Sequence, residues 1–543
     1  VKQWAEIRLT GQAQDPTPRN VGPDLWNTVT DAVFRDGAAQ PVRSIYTAFS
    51  GNYSGGLYYL HDVAVGRRAV GAEDSEVIFF FTEGMDKWAP FSPRLLRRTY
   101  TGAASATITP TEWDAGYRFW NRPTGGIING CVVWNYDGLL VDQSGNARGP
   151  FPAYYDCNAA TMAATASILP GWPTSWPTAW TARSVRPHKD FLIAMFKRVW
   201  TDATTVTPYP DTVLWSDAAA GGIPSTWTAS STNMAGEAEI DAFGGALVDG
   251  YTLGDDFIVF KERASYRMTY VGGTGVFAFR RLNSERGMRT QDAAAYCKGR
   301  LIVAGGDDVY ALSPDGSTES LMTDTIRRVY AGEVQRRATN IRLPVCYSGL
   351  TNEILVGISF GIYPIEEAFV YDIASGKWGH VDLTFDGAID GFGNMRQLQS
   401  KSALVDKTYP GVTDWAWFIN SGEVTNAARV WAEGGTGSRG TATLTKYALD
   451  LGDPVNYKLA HRIRLIVEAA AGEAFTVSVT GKDSPAGTTV SSASATWTAG
   501  TTRDIGLSVQ GRFFDVTVTN APQNLTPWKL SGFDIEFSPA GAW

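Results

Sequence analysis

Histidine and cysteine are scarce in this chain, and their scarcity removes whole classes of chemistry. Four of each occur among 543 residues. His61, His188, His380 and His461 stand far apart, and none falls in HExxH or another metal spacing. Cys131, Cys157, Cys297 and Cys346 make no CxxC pair. Most lie in or beside apolar or aromatic runs, where a free thiol acts as a small hydrophobe. This usage fits a reducing compartment. The GxSxG nucleophile elbow and the GxxxxGK[ST] phosphate loop are both missing. No stretch approaches the roughly 18 apolar residues of a membrane span, so none is expected. The first residues, VKQWAEIRLTGQAQDPTP, hold no apolar run long enough for a signal peptide.

Charge is sparse as well. Charged residues are 19% of the chain, against about a quarter in an average soluble protein. The net charge is −8, while residues 438–543 carry nine basic and nine acidic side chains. The acidic excess therefore lies wholly before residue 438, and the general surface is unsuited to gripping phosphates. Three acidic pairs, Asp255-Asp256, Asp307-Asp308 and Glu366-Glu367, are the remaining catalytic candidates. Glycoside hydrolysis needs two carboxyls facing across a pocket, roughly 5–10 Å apart. Neighbours on a strand point to opposite faces, so these pairs are expected to serve local turn structure. No catalytic residue, metal or cofactor is expected.

Abundant instead are aromatic residues, 12% of the chain with 19 tryptophans, and glycine, with 57. With so little charge, this composition predicts surface buried against neighbouring subunits. Short runs of Val, Ile, Phe and Tyr alternate with Gly-Asp, Gly-Gly and Pro-Asp-Gly turns, which is strand and hairpin chemistry. Residues 214–316 show it most clearly, from LWSDAAAGGIPSTW to GRLIVAGGDDVYALSPDG. Apolar runs begin near Val77, Val132, Phe191, Phe257, Leu301, Ile354 and Trp415, at intervals of 55, 59, 66, 44, 53 and 61 residues. Four-stranded propeller blades take about 40–50 residues, so these spacings predict blades with inserted loops. AFVYDIASGKWGHV, with Tyr371, Asp372, Ser375 and Trp378, resembles one kelch blade strand.

The predicted architecture is all-β: a β-propeller-like platform with a C-terminal β-sandwich domain. Residues 1–75 read as an extended N-terminal segment with short strands, and 76–433 as the platform. Residues 434–440 read as a glycine-rich linker, and 441–543 as the sandwich, where IRLIVEA and FTVSVTG alternate with period two. Within the linker, Gly435, Gly437 and Gly440 match GxGxxG, but strand-like TATLTKY follows in place of the required helix. One helix is predicted within residues 321–342, capped near Thr323 or Asp324 and interrupted at Ala331-Gly332 into two basic patches. Its Arg327, Arg328, Arg336 and Arg337 are the candidate subunit or adaptor interface, because guanidinium groups pair well with carboxylates of a neighbour. Trp172, Trp176 and Trp180 in LPGWPTSWPTAW offer a second possibility, the sugar-stacking rim of a glycan-binding or glycan-cleaving propeller acting in host receptor recognition.

Four motifs in order carry a wider resemblance. They are GPDLWNTVTDAVFRDGAAQPV with Trp26, Phe34, Arg35, Asp36 and Gly37; VVWNYDG after GGIING; VLWSDAAAGGIPSTW followed by GDDFIVFKERASYRMTYVGG and SERGMRTQDAAAYCKGRLIVAGGDDVYAL; and GRFFDVTV with WKLSGFDIEF. Together they span nearly the whole chain. In this order they resemble the tail nozzle, or tail-tube, proteins of short-tailed bacteriophages, including the packaged-DNA stabilisation group. The resemblance implies a homo-hexameric ring in the virion tail, assembled in the host cytoplasm. Such a ring extends the portal and adaptor (head-tail connector) channel and docks tail fibres, spikes or a needle. Packaged double-stranded DNA passes through its lumen without sequence-specific binding. An acidic wall would let that DNA slide.

Overall fold

In the computed structural model, side chains are described for residues 2–13, 21–41, 124–135, 137, 151–156, 167–202, 204–273, 275–283, 285–336, 341–347, 352–358, 367–381, 441–521 and 527–541. Backbone alone is described for the other strands below. The chain is all-β and propeller-like. Seven four-stranded antiparallel units follow one another among the described residues. Blade one is Leu57–Arg67, Glu76–Met85, Pro93–Thr99 and Ala106–Ile108; blade two is Thr124–Ile128, Cys131–Asn135, Ala153–Asp156 and Ser167–Ile168. Blade three is Ala179–His188, Phe191–Trp200, Val206–Trp215 and Gly236–Glu239; blade four is Leu247–Leu253, Asp256–Lys261, Ser265–Tyr270 and Phe277–Asn283. Blade five is Ala294–Cys297, Arg300–Ala304, Val309–Leu312 and Thr318–Ser320; blade six is Val345–Ser348, Glu353–Phe360, Glu367–Asp372 and Lys377–Asp382. Blade seven joins Gln397–Gln399, Trp415–Ile419 and Ala427–Ala432 to Ser44–Ser50, a strand that precedes blade one in the chain.

Each of the seven apolar runs read from the sequence is the second strand of its blade. That strand is paired on both edges, and in blades three and four, where the side chains are described, it is packed on both faces, so it reads as a continuous apolar run. Cys131–Asn135 is buried at every position, and Arg300–Ala304 at every position after Arg300. The first strands line the inside: that of blade three lies against those of blades two and four, and that of blade six against those of blades five and seven.

Residues 1–75 do not stand apart from the other domains. Gln3–Arg8 pairs with Trp528–Gly541, and Thr28–Thr30 pairs with Ala442–Leu449, so both belong to the C-terminal sandwich. The hairpin Ala32–Arg35/Ala38–Pro41 turns at Asp36-Gly37, both at positive φ, as tight hairpin turns require. It bridges blade six, through His380 opposite Ala32, to the sandwich, through Leu530 opposite Ala39. The platform takes in Ser44–Ser50 and Leu57–Arg67, both of which begin before residue 76. Residues 434–440 lie outside the described residues. The sandwich core joins Trp26 and Phe34 to Ile463, Phe475, Val477, Val516, Trp528 and Phe533. At one corner Gly481 and Gly511 let two strands nearly touch, because a Cβ on Gly481 would stand 2.1 Å from the Gln510 carbonyl oxygen.

Many aromatic side chains are absorbed by this one chain. Trp26, Trp134, Trp378 and Trp528 are fully buried in it. Part of the aromatic content taken from composition as pointing to subunit contacts is thus spent on the chain's own core.

Candidate functional site

The predicted helix forms as Asp324–Arg336, between the last strand of blade five and the first of blade six. Ile326, Tyr330 and Val334, four apart, are buried against the core of those blades. The Thr323 carbonyl accepts the first helical bond from Arg327 N–H at 2.9 Å. Tyr330 Oη donates to the Gly305 carbonyl at 2.8 Å, fixing the helix over the turn between the second and third strands of blade five. Burial, with Asp308 and Asp307 beside it, holds the Tyr330 phenol far above its ordinary range.

The helix runs unbroken through Ala331-Gly332, so the expected division there is absent. Arg327 pairs with Asp324 and Arg336 with Glu333, each three residues away, while Arg328 Nε donates to the Asp324 carbonyl at 3.4 Å. Three arginines against two carboxylates leave the helix at +1. Arg328 and Arg336 are exposed and Arg327 is half-buried; Arg337 lies outside the described residues.

A charged hub that sequence reading missed joins the inner strands. Arg186 of blade three donates from Nε and Nη2 to Asp249 of blade four at 2.9 and 2.5 Å. It also reaches Asp292, just before blade five, at 2.6 Å, and the Gly125 carbonyl of blade two at 3.1 Å. Its guanidinium lies 4.8 Å from the Tyr251 ring centre. Burial works against the Arg186 charge, but Asp249, Tyr251 and Asp292 more than offset it, and the group stays protonated well above the ordinary range. Asp249 accepts further bonds from Ser184 Oγ, Gly250 N–H and Asp292 N–H. Four blades are clasped by one guanidinium. Its partners stand 63 and 106 residues from Arg186, so no local spacing announces it.

Between blades five and six lies a cleft of about 280 Å³. Ile302 and Ala311 face Ile354 and Tyr371 across it. At its rim Arg300 Nη1 pairs with Glu319 Oε2 at 2.8 Å. Trp378 Nε1 donates to the Leu321 carbonyl at 2.8 Å and ties the two blades together. Burial pushes the Cys297 thiol up despite nearby Lys298 and Arg300. Burial, then Glu319 and Asp372, raises the Tyr371 phenol.

Several of the other sequence candidates are held by structural contacts. Asp308 takes Arg286 at 2.5 Å and Ser320 Oγ at 2.9 Å; Asp256 takes Thr269 Oγ1 at 2.7 Å, while Asp255 is exposed. Glu366 and Cys157 lie outside the described residues, as does the side chain of His61. His188 Nδ1 meets Thr252 Oγ1 at 3.0 Å, His461 meets Ser538 Oγ at 2.8 Å, and His380 lies 3.5 Å from Glu367. Among the described residues no three His, Cys, Asp or Glu side chains gather to hold a metal ion. No helix there is long and apolar enough to cross a membrane. Trp172 is buried, edge-on to Trp227 at 4.8 Å, and its Nε1 donates to the Trp180 carbonyl at 2.9 Å. Trp180 carries Lys197 Nζ over its ring at 3.9 Å, and Trp176 is half-buried. These three rings do not form an open platform for sugar stacking.

No protein-family model matches the chain, and no curated protein matches it. Among solved structures, a prolyl endopeptidase is similar over 77% of this chain and 54% of its own, with 9% identity and a TM-score of 0.33. The chain thus spans about half the length of that enzyme. Apo AztD from Citrobacter koseri is similar over 59% of this chain and 86% of its own, at 10% identity and TM-score 0.27. An exo-β-1,3-galactanase from Phanerochaete chrysosporium covers 91% of this chain and 99% of its own, at 10% identity and TM-score 0.24. At these values neither activity nor partner is drawn from them.

Proposed function

We propose that this chain is a non-catalytic structural component, the subunit of a hexameric tail nozzle ring of a short-tailed phage. In this reading it extends the portal and adaptor channel, retains packaged DNA and conducts it during ejection. The observation that carries the reading is the ordered motif set, because all four motifs occupy scaffold positions. GPDLWNTVTDAVFRDGAAQPV supplies the bridge between blade six and the sandwich, where Trp26 and Phe34 are buried and Arg35 Nε meets Glu353 at 2.5 Å. VVWNYDG supplies all but the first residue of the second strand of blade two, and the long third motif runs through blades three to five. GRFFDVTV and WKLSGFDIEF form strands of the two sandwich sheets.

Exposed Tyr270, Val271 and Tyr296 on blades four and five give such a ring apolar area for a neighbouring subunit. The net charge of −8, multiplied sixfold around a channel, would repel DNA phosphates and favour sliding. A ring also needs two different faces on each subunit, one for each neighbour. Negative-stain images of the purified chain, or of tails containing it, should show six-fold rings with an axial channel. A stable monomer that never enters virions would refute the reading.

A further inference from the structure

The gaps between blades are filled unequally. Between blades three and four, Phe191, Trp215, Tyr266 and Phe277 close the interface. Between blades two and three, Trp172 and Trp227 do so. Blade five presents Cys297, Ala311 and Ile302 to blade six at the same place, and the cleft of about 280 Å³ remains. That volume is just below the roughly 300–1,000 Å³ of small-molecule sites, and suits one or two side chains better than a cofactor.

Its floor is apolar and its rim is cationic. Arg300 is paired with Glu319, whereas Lys298 sits exposed at a hairpin tip without an ion-pair partner among the described residues. Two cations against one carboxylate give the rim +1 on a chain of net −8. Beside the cleft runs Thr318–Ser320, the last strand of its sheet, and among the described residues no strand pairs with its outer edge.

We propose that this cleft receives a peptide segment of a partner protein in which a large apolar side chain adjoins a carboxylate. The apolar side chain enters between Ile302 and Tyr371, the carboxylate meets Lys298, and the peptide backbone runs along Thr318–Ser320. The proposal stands independently of the ring reading, since a monomer would carry the same cleft.

The test is ligand-observed NMR on the full chain with acetyl-Gly-Phe-Asp-Gly-amide, the same peptide with Asn for Asp, and free N-acetylphenylalanine. The Asp peptide should bind at least threefold more tightly than the Asn peptide, and more tightly than N-acetylphenylalanine. Lys298→Glu should abolish or reverse the preference for Asp. Ala311→Phe, which fills the cleft, should remove binding; Cys297→Leu serves if that variant fails to fold. No binding at millimolar peptide, equal binding of the Asp and Asn peptides, or undiminished binding to a folded cleft-filled variant would each overturn the proposal. N-acetylphenylalanine binding as tightly as the peptide would reassign the cleft to small carboxylates.

Discussion

Replacing Arg186 with methionine tests whether one guanidinium holds four blades. The side chains of Arg186 and Asp249 are 6% and 0% exposed, and that of Asp292 is 10% exposed. Methionine keeps much of the volume and removes every donor. Asp249, Asp292 and the Gly125 carbonyl then lose a charged partner in a site that water scarcely reaches. Breaking a buried ion pair from one side costs about 3–5 kcal/mol. Asp249 would keep its bonds from Ser184 Oγ, Gly250 N–H and Asp292 N–H, so the expected cost lies near the lower end, about 3 kcal/mol. A chain with a propeller and a sandwich need not unfold in one step, so the loss is best read locally. Amide hydrogen exchange should speed up by roughly a hundredfold in residues 179–200 and 247–261, and stay unchanged in the sandwich. Arg186→Met combined with Asp249→Asn and Asp292→Asn should regain much of the protection, because no unpaired charge stays buried. Acceleration of less than about tenfold would mean that backbone ladders hold the blades and the hub is dispensable.

His188 makes part of the stability sensitive to acid. Burial, then the neighbouring Lys189, lowers its pKa to about 4, from an ordinary value near 6.5, so the fold favours the neutral ring. Its contribution, about 3 kcal/mol, is complete above pH 6.5, declines towards pH 4 and is lost below. His188→Phe should flatten the fall in melting temperature between pH 7 and 4.5, and an unchanged fall would refute the assignment. Gly481→Ala should destabilise the sandwich by about 2 kcal/mol or more, since the added carbon meets the Gln510 carbonyl; urea unfolding of the sandwich unaffected by this change would refute the close approach. Arg327→Glu with Arg336→Glu breaks two exposed pairs and should cost under about 1 kcal/mol of folding. If the helix is a subunit or adaptor interface, the same variant should fail to form rings, as electron microscopy would show; normal assembly with altered DNA retention would place the arginines at the lumen.

The sequence by itself determined the β class, seven apolar runs that became the second strands of the blades, and the helix over Asp324–Arg336. Each follows from a local pattern: a second strand packed on both faces carries a continuous apolar run, and Ile326, Tyr330 and Val334 recur every four residues. The helix's neutralising pairs were missed, although the signal was local: Asp324 and Glu333 stand three residues before Arg327 and Arg336. Partnership was not legible. Thr28 pairs with Thr445, and Ser44 with Ala432, across most of the chain, and nothing local in a three-residue or seven-residue run names so distant a partner. For the same reason the N-terminal residues read as a separate segment, although they complete the sandwich and blade seven. The hub and the cleft belong to tertiary structure alone. Arg186 meets Asp249 and Asp292 only when three blades stand side by side, and the cleft exists only where Ala311 and Ile302 of blade five meet Ile354 and Tyr371 of blade six. Local periodicity reports which side chains are buried; which of them meet is settled by long-range register, where a shift of one residue turns every side chain to the other face.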